Sequence, residues 1–338
     1  MPVLSLVVPC YNSEAYVGNC LASILGGGSR VEVVCVNDGS TDSTPEILDE
    51  WARKHPETIR VIHQENRGHG GAVNAGVAAA TGAYIKVVDS DDWLDAEALL
   101  EVLDTLEALE SSGEGVDLLL HNFVYEKEGR ARPSTVRLAR VLPQGRVFGW
   151  GEVGRFRLRE YLMMHSMIYS AKVLRESGVL LPEHTFYVDT VWAYEPLPLT
   201  RRLYYVDVPL YRYYIGREDQ SVNEPVMLRR IEQQIRVVRR IYDFTAQLPT
   251  LNPGLERYML HFLGLAVTVS NVMLSRKGTP QALAQKQAMW EHFRVSSPEL
   301  HRKLRRTLSS GCTSLPGKAG NTLAVGLYQV ARRVVGFN

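Results

Sequence analysis

The stretch that most constrains this chain is Lys86-Val87-Val88-Asp89-Ser90-Asp91-Asp92-Trp93. An apolar run, Ala83 to Val88, ends in three carboxylates within four residues. A run so short, entered through Gly82, reads as a buried strand of a parallel sheet. In such sheets ligands bind beyond the carboxyl ends of the strands. Asp89, Asp91 and Asp92 therefore stand where a ligand would. Three crowded carboxylates repel one another, and a hard divalent cation that also holds phosphate oxygens relieves the repulsion. The plainer reading is a solvated loop with an N-cap aspartate. It suits Asp95, just ahead of an Ala/Glu/Leu run, better than the three before it.

Other strand ends carry polar loops. Val3 to Val8 is an apolar strand ending at Pro9-Cys10-Tyr11-Asn12-Ser13. Asn12 or Ser13 is placed to cap a helix whose Val17, Cys20, Leu21, Ile24 and Leu25 share one face. Val31 to Val36 is a second strand, ending in Asn37-Asp38-Gly39-Ser40-Thr41-Asp42. Ser43-Thr44-Pro45-Glu46 has the form of a capping box with Pro near the helix start. A third strand, Ile59 to His63, leads into the Gly-rich segment from Gln64 to Gly76. Its glycines allow close backbone approach to a ligand, and Arg67 and His69 can meet phosphate. Neither the phosphate-loop nor the dinucleotide pattern is present. After the acidic cluster, Leu99, Leu100, Leu103, Leu106 and Leu109 stripe a helix, and Val116 to His121 is a fifth strand. Strands and helices alternating in this order predict a doubly wound α/β sheet.

The chain has 338 residues, enough for one large core plus a second domain. Its net charge of +1 hides an asymmetry. Residues 226–338 hold 17 Lys and Arg against 5 Asp and Glu, and residues 1–225 hold 21 against 32. An acidic front half suits a metal-using site, and a basic tail suits an anionic partner. Cys10, Cys20, Cys35 and Cys312 form no Cys-x-x-Cys pair, so they read as reduced thiols of a cytoplasmic protein. No signal core follows the N-terminus, and no uninterrupted run of 18 apolar residues predicts a membrane span.

Three strand ends now converge: Pro9–Asn12, Asn37–Asp42 and Asp89–Asp92. With Val-Val-Pro-Cys-Tyr-Asn, Val-Asn-Asp-Gly-Ser-Thr-Asp, Asn-x-Gly…Asn-Ala-Gly and Asp-Ser-Asp-Asp-Trp in order, the chain resembles the family 2 glycosyltransferases. The resemblance covers about residues 3–225 and is strongest over 3–95. It implies a GT-A fold, a Rossmann-like doubly wound and mostly parallel sheet, followed here by an α-helical extension. It implies that Pro9, Tyr11 and Asn12 line the donor site, with Tyr11 stacking near the base. Asp38 would accept a hydrogen bond from the base, typically uracil. Asp89-Ser90-Asp91 matches the family's Asp-x-Asp element, with Asp89 supporting the ribose or sugar and Asp91 holding Mg²⁺ or Mn²⁺ on the diphosphate. Asn74 matches a donor-binding asparagine. The basic residue that often precedes it is replaced by Val73, and Arg67 or His69 would supply that charge.

Residues 122–165 are hard to read, with a charged excursion from Glu126 to Arg140. Beyond them, Asp189 matches the family's catalytic base, with Val188 where an acidic residue is usual. An inverting transferase needs one carboxylate there, to take the acceptor hydroxyl's proton. The other reading is that Asp189 only opens the helix running to Leu199. After a strand from Leu203 to Val206, Arg212, Arg217 and Ser221 match a segment that closes over the diphosphate. Surface ion pairing with Glu218 and Asp219 explains those arginines equally well.

The tail from 226 reads as helices. Ile231, Ile235, Val238 and Ile241 stripe a helix from Met227 to Phe244, Tyr258 to Met273 is apolar and buried, and Leu323, Leu327, Val330 and Val334 stripe a last helix. Basic amphipathic helices can rest on an anionic membrane face. A bundle with a solvated basic face is the plainer reading, and no nucleic-acid motif accompanies the charge.

These readings predict a catalytic domain over 1–225 and a basic helical region over 226–338. The function they imply is a metal-dependent inverting glycosyltransferase, cytoplasmic or peripheral on the inner membrane face. It would move a sugar from a nucleoside diphosphate, UDP first, to a hydroxyl on a cell-surface polysaccharide, teichoic acid or glycolipid. The rivals are a catalytically weak nucleotide-sugar-binding or assembly subunit, which Val73 and Val188 favour, and a nucleotidyltransferase. The latter is disfavoured because Pro9-Cys10-Tyr11-Asn12 replaces a Gly-rich basic loop.

Overall fold

In the computed structural model the described residues are 2–127, 134–158, 160–215, 223–315, 317, 320–322 and 324–326. The chain divides into two compact units, Met1–Gly154 with Leu162–Ile215, and Arg155–Tyr161 with Gly216–Asn338.

The first unit opens with strict alternation: β1 (Leu4–Cys10), α1 (Val17–Ile24), β2 (Val31–Asp38), α2 (Thr44–Lys54), β3 (Ile59–Gln64), α3 (Gly68–Ala79) and β4 (Tyr84–Val87). After it come β5 (Trp93–Leu94), α4 (Ala96–Ser111), β6 (Leu118–Leu120), β7 (Phe123–Lys127), β8 (Ser134–Val136) and β9 (Val147–Phe148). The unit closes with β10 (Met167–Ser170), α5 (Ala171–Ser177), α6 (Asp189–Trp192), β11 (Leu203–Tyr205) and β12 (Tyr211–Ile215).

Eight strands form one sheet in the order β3-β2-β1-β4-β10-β6-β11-β9, and β5-β12-β7-β8 form a smaller second sheet. The strands β1 to β4 run parallel, while β10 runs antiparallel to both β4 and β6. The chain winds outward from β1 to β2 and β3, then returns to lay β4 on the other edge of β1. That reversal is a topological switch point, and it opens a crevice beyond the carboxyl ends of β1 and β4. Such strands are buried on both faces, which is why every residue of β1 and β4 is buried.

The helix stripe of α4 differs by one position from the expected one. Leu99, Val102, Leu103, Leu106 and Leu109 are buried, whereas Leu100 is 40% exposed. Positions 99, 102, 103 and 106 follow the i, i+3, i+4, i+7 spacing of a single helix face, and Leu100 does not. Two expected caps also do not form. The N-cap of α1 is Tyr16, and neither it nor Ser43 ahead of α2 makes a side-chain cap. Thr44 Oγ1 instead accepts from Ser13 N at 2.8 Å, so these residues join two loops rather than start two helices.

The second unit contains α7 (Glu224–Arg229), α8 (Ile231–Ala246), α9 (Pro253–Lys277), α10 (Pro280–Ser296), α11 (Pro298–Arg306) and α12 (Leu308–Thr313). The expected helix from Met227 to Phe244 is two helices, broken at Arg230 (φ −102°, ψ 17°). Asn252, Thr279 and Ser297 cap α9, α10 and α11 through their side chains, each with Pro following at the helix start. Residues 155–161 belong to this unit because Phe156 and Tyr161 pack on Tyr258 and Phe262 of α9, with ring centroids 4.9 and 5.5 Å apart. By length and composition alone α9 is apolar enough to cross a membrane. Its 18-residue apolar window is 67% buried within the protein, as in the core helix of a bundle. Leu323, Leu327, Val330 and Val334 lie outside the described residues, or outside those whose side chains are described.

Candidate active site

Three loops at the switch point are tied to one another by side chains. Asn12 Oδ1 accepts from Thr41 N at 2.8 Å, and Ser40 Oγ accepts from Asn12 N at 3.0 Å. Ser13 Oγ and Ser90 Oγ are 2.7 Å apart. The loops after β1, β2 and β4 therefore hold one another in register. Asn12 takes a positive φ of 49°, which asparagine tolerates better than most residues. Pro9 is buried inside β1, and Tyr11, beyond its end, is 53% exposed. At the end of β2, Asp38 is buried, and its Oδ1 accepts from Gln64 Nε2 at 2.7 Å and Arg67 N at 2.9 Å.

The acidic cluster sorts its three carboxylates. Asp92 is buried: its Oδ2 accepts from Tyr211 Oη at 2.6 Å and its Oδ1 from Tyr214 N at 2.7 Å. Burial and the neighbouring Asp91 and Asp89 push its pKa well above the usual carboxylate range. Asp92 thus braces the turn against β12. Asp89 Oδ1 meets His69 Nε2 at 2.8 Å, and its Oδ2 lies 3.7 Å from His165 Nε2. Burial opposes its ionisation, but the two imidazoles outweigh that and hold it below the usual range. For His69 burial works downward, while Asp89, Asp189 and Asp91 raise its pKa above that of a free imidazole. Asp91 is half-buried.

Asp189, the first residue of α6, lies in the same electrostatic field. Burial raises its pKa, offset in part by His165 and His69. The loop leading to it contains His184 and Tyr187 at φ 47° and 66°. Such backbone costs about 1–3 kcal/mol per residue and concentrates at functional sites.

The Gly-rich segment packs closely on another part of the chain. A Cβ on Gly68 would lie 2.9 Å from His184 N, and one on Gly70 would collide with Pro182 O. The close backbone approach these glycines permit is taken by residues 182–184 of the chain itself. Asn74 serves the same contact: its Nδ2 donates to Leu181 O and its Oδ1 accepts from Leu181 N, each at 2.9 Å. Both ends of its amide are engaged by this backbone, which leaves little of it for a donor. Arg67 lies 3.6 Å from Glu183 with its side chain 58% exposed. Arg212, expected over the diphosphate, is instead clamped between Asp95 Oδ2 at 2.6 Å and Glu126 Oε1 at 2.9 Å. Asp95 caps α4 through Ala98 N at 3.1 Å. Arg217 and Ser221 lie outside the described residues.

Sequence reading missed three contributors. His165 is 4% exposed, stacks on Tyr213 with centroids 4.3 Å apart, and has no hydrogen-bond partner at either ring nitrogen. Lys86, fully buried in β4, donates to His165 O at 2.7 Å and lies 4.9 Å from the centre of the Tyr211 ring. Burial drives its pKa well down, with Asp89 and Asp92 only partly opposing. Tyr211 links the two aspartates, donating to Asp92 and accepting from Asp89 N at 3.1 Å. A lysine within an otherwise apolar strand was the one available signal.

These residues fit a divalent cation. Asp89, Asp92 and His165 offer ligand atoms all within 4.8 Å of one another, and the buried, unpartnered His165 nitrogens face an acidic neighbour. Two oxygen donors with one imidazole suit Mn²⁺, and carboxylates alone suit Mg²⁺.

Residues 5–167 match the model described as glycosyl transferase family 2. That span is similar to the family. EpsH of Bacillus subtilis, named as a glycosyltransferase, is 31% identical over 229 residues, 63% of this chain and 61% of EpsH. The uncharacterized glycosyltransferase YibD of Escherichia coli is 29% identical over 223 residues, 64% of this chain and 63% of YibD. The chain thus spans about three fifths of these curated relatives. The solved structure of S. aureus TarS 1–349 in complex with UDP-GlcNAc superposes with a TM-score of 0.71 at 20% identity, covering 99% of this chain and 92% of that one. At that identity the likeness shows the fold: the first unit has the expected GT-A architecture, with a helical region following it in the chain.

Proposed function

We propose that this chain is an inverting glycosyltransferase that moves a sugar from a nucleoside diphosphate to an acceptor hydroxyl. The observation that carries this reading is the meeting of Asp89, Asp91, His69, His165 and Asp189 in one electrostatic field, beyond the carboxyl ends of β1, β2 and β4.

In this reading the donor lies in the crevice with its base against exposed Tyr11 and beside Asp38. The fixing of Asp38 by Gln64 and Arg67 N supports a role in recognition, because a held carboxylate accepts a base N–H without reorganising. UDP is the donor nucleotide favoured here, in keeping with the nucleotide sugar in the TarS complex. Asp91 would hold Mg²⁺ or Mn²⁺, with ligand atoms of the neighbouring Asp89, Asp92 and His165 group available to it. Bound there, the ion would neutralise charge on the departing diphosphate. Asp92, committed to Tyr211 and Tyr214, keeps the turn in place. His69 orients Asp89.

Asp189 takes the proton of the acceptor hydroxyl as that oxygen attacks the anomeric carbon. The bond from the anomeric carbon to the diphosphate oxygen breaks, and its electron pair leaves with the nucleotide. A single displacement inverts the centre and needs no covalent nucleophile. Burial, by raising the proton affinity of Asp189, makes it a better base than a solvated aspartate. The acceptor class is a glycan or glycolipid of the cell envelope, reached from the cytoplasmic side.

A calorimetric titration with UDP, with and without Mn²⁺, tests the reading. Metal-dependent binding that disappears in Asp38→Ala and Asp91→Ala is expected. Binding of GDP in place of UDP would overturn the uridine assignment, and no nucleotide binding at all would favour an assembly subunit.

A further inference from the structure

The helical unit carries a second candidate site. Among its described residues α10, α11 and Ser314, Leu315, Gly317 and Asn321 line a half-open cavity of about 380 Å³, within the range of small-ligand sites. Lys286, Trp290 and Arg294 of α10, His301 and Arg305 of α11, and Leu315 are among its lining. Lys286 is 4% exposed, yet its Nζ meets only neutral groups among the described residues, Ser275 Oγ at 3.1 Å and Asn321 Oδ1 at 3.0 Å. A buried ammonium ordinarily has a carboxylate partner. Residues 300–338 contain no Asp or Glu side chain.

Arg294, Arg305 and the carboxylate Glu291 are the other charged residues of the lining, a positive balance. Arg294 is paired with Glu291, while Arg305 is exposed beside the cavity and has no carboxylate partner among the described ion pairs. Burial, Arg305 and Arg294 together hold the His301 imidazole below its ordinary pKa, as expected in a positive field. Burial likewise lowers Lys286 to about 8. The Trp290 indole is fixed edge-on to His301, ring centroids 5.7 Å apart, and donates to Asn271 Oδ1 at 2.9 Å. A rigid aromatic face with cations at several angles suits a tetrahedral oxyanion carrying a short carbon chain. A flat carboxylate would be satisfied by one guanidinium.

We propose that this cavity binds a phosphodiester, with Lys286 and Arg305 contacting its oxygens and Trp290 and Leu315 packing on its carbon substituents. The phosphodiester comes either from a soluble polyol phosphate or from a lipid headgroup.

The test uses the full chain with saturating UDP present, so that the nucleotide site takes no part in the readout. Glycerophosphoglycerol, titrated calorimetrically in chloride buffer, is expected to bind at one site. Arg305→Gln removes an exposed side chain, so its fold is expected to persist, and it should weaken binding about tenfold, the scale of one charge-assisted hydrogen bond. Lys286→Met should abolish it. Heat identical in wild type and Arg305→Gln would overturn the proposal. Flotation with vesicles of phosphatidylglycerol in phosphatidylcholine, against phosphatidylcholine alone, separates the sources. Arg305-dependent capture by the anionic vesicles without calorimetric binding assigns the lipid headgroup. Neither heat nor selective capture would refute the site.

Discussion

In the α/β unit the buried carboxylate of Asp92 accepts from Tyr211 Oη and Tyr214 N, and Asp89 sits between two imidazoles. In the helical unit the buried ammonium of Lys286 meets only a hydroxyl and an amide oxygen among the described residues. Both are charges taken out of water, and each group by itself would be costly. The first cluster is completed by groups of the same chain and its fold depends on them. In the second, Lys286 meets no carboxylate among the described residues. Removing a charge should therefore damage the first region and spare the second.

The largest effect is expected where the first cluster meets substrate. Asp189→Asn should lower kcat about 10²–10⁴-fold with UDP binding retained, as for loss of a general base. Donor hydrolysis and transfer assays beside calorimetry check this, and a kcat within threefold of wild type would leave Asp189 as a helix-starting residue only. The same group sets a pH profile. A base must be ionised, so kcat/KM should fall as pH drops through the Asp189 pKa, which burial places above the ordinary aspartate value. The acid limb should vanish from the residual activity of Asp189→Asn.

Next in size is the brace. Asp92→Ala strips Tyr211 Oη and Tyr214 N of their acceptor and should cost about 1–3 kcal/mol in chemical denaturation. Arg212→Gln breaks partly exposed pairs to Asp95 and Glu126 and should cost about 1 kcal/mol, with UDP affinity within twofold of wild type. A large loss of UDP affinity at unchanged stability would return Arg212 to the donor site.

The smallest effect should come from the second region. Lys286→Met removes an ammonium that has no acid partner among the described residues, and stability should change by less than about 1 kcal/mol or rise. The sign of its pH dependence is also set. The folded pKa, about 8, lies below that of an unfolded lysine, about 10.4, so between those values the unfolded state binds more protons. Stability should therefore rise with pH across that window in wild type and lose that component in Lys286→Met. His301, held below its ordinary value, titrates on the acid side of the window.

Much of the first region was legible because it is local in sequence. An apolar run that ends abruptly in carboxylates marks both a strand and its functional end, and three such ends in order predicted the parallel sheet. The rest depended on contacts that no spacing encodes. His165 is brought to Asp89 from 76 residues away by the antiparallel insertion of β10 beside β4. The pairing of Arg212 was not legible because its partners, Asp95 and Glu126, adjoin it only once β12 pairs with β5 and β7. The glycines near residue 70 looked like a ligand cradle because glycine reports a close approach without saying what approaches.

Sequence alone determined the α/β alternation, the carboxylate-bearing strand end and the family resemblance, since these rest on periodicity and short-range chemistry. Only tertiary structure decided which aspartate is a brace, which histidines join the site, and that Lys286 is buried without an acid partner among the described residues. Burial and charge pairing are properties of neighbours in space, and neighbours in space are what the fold supplies.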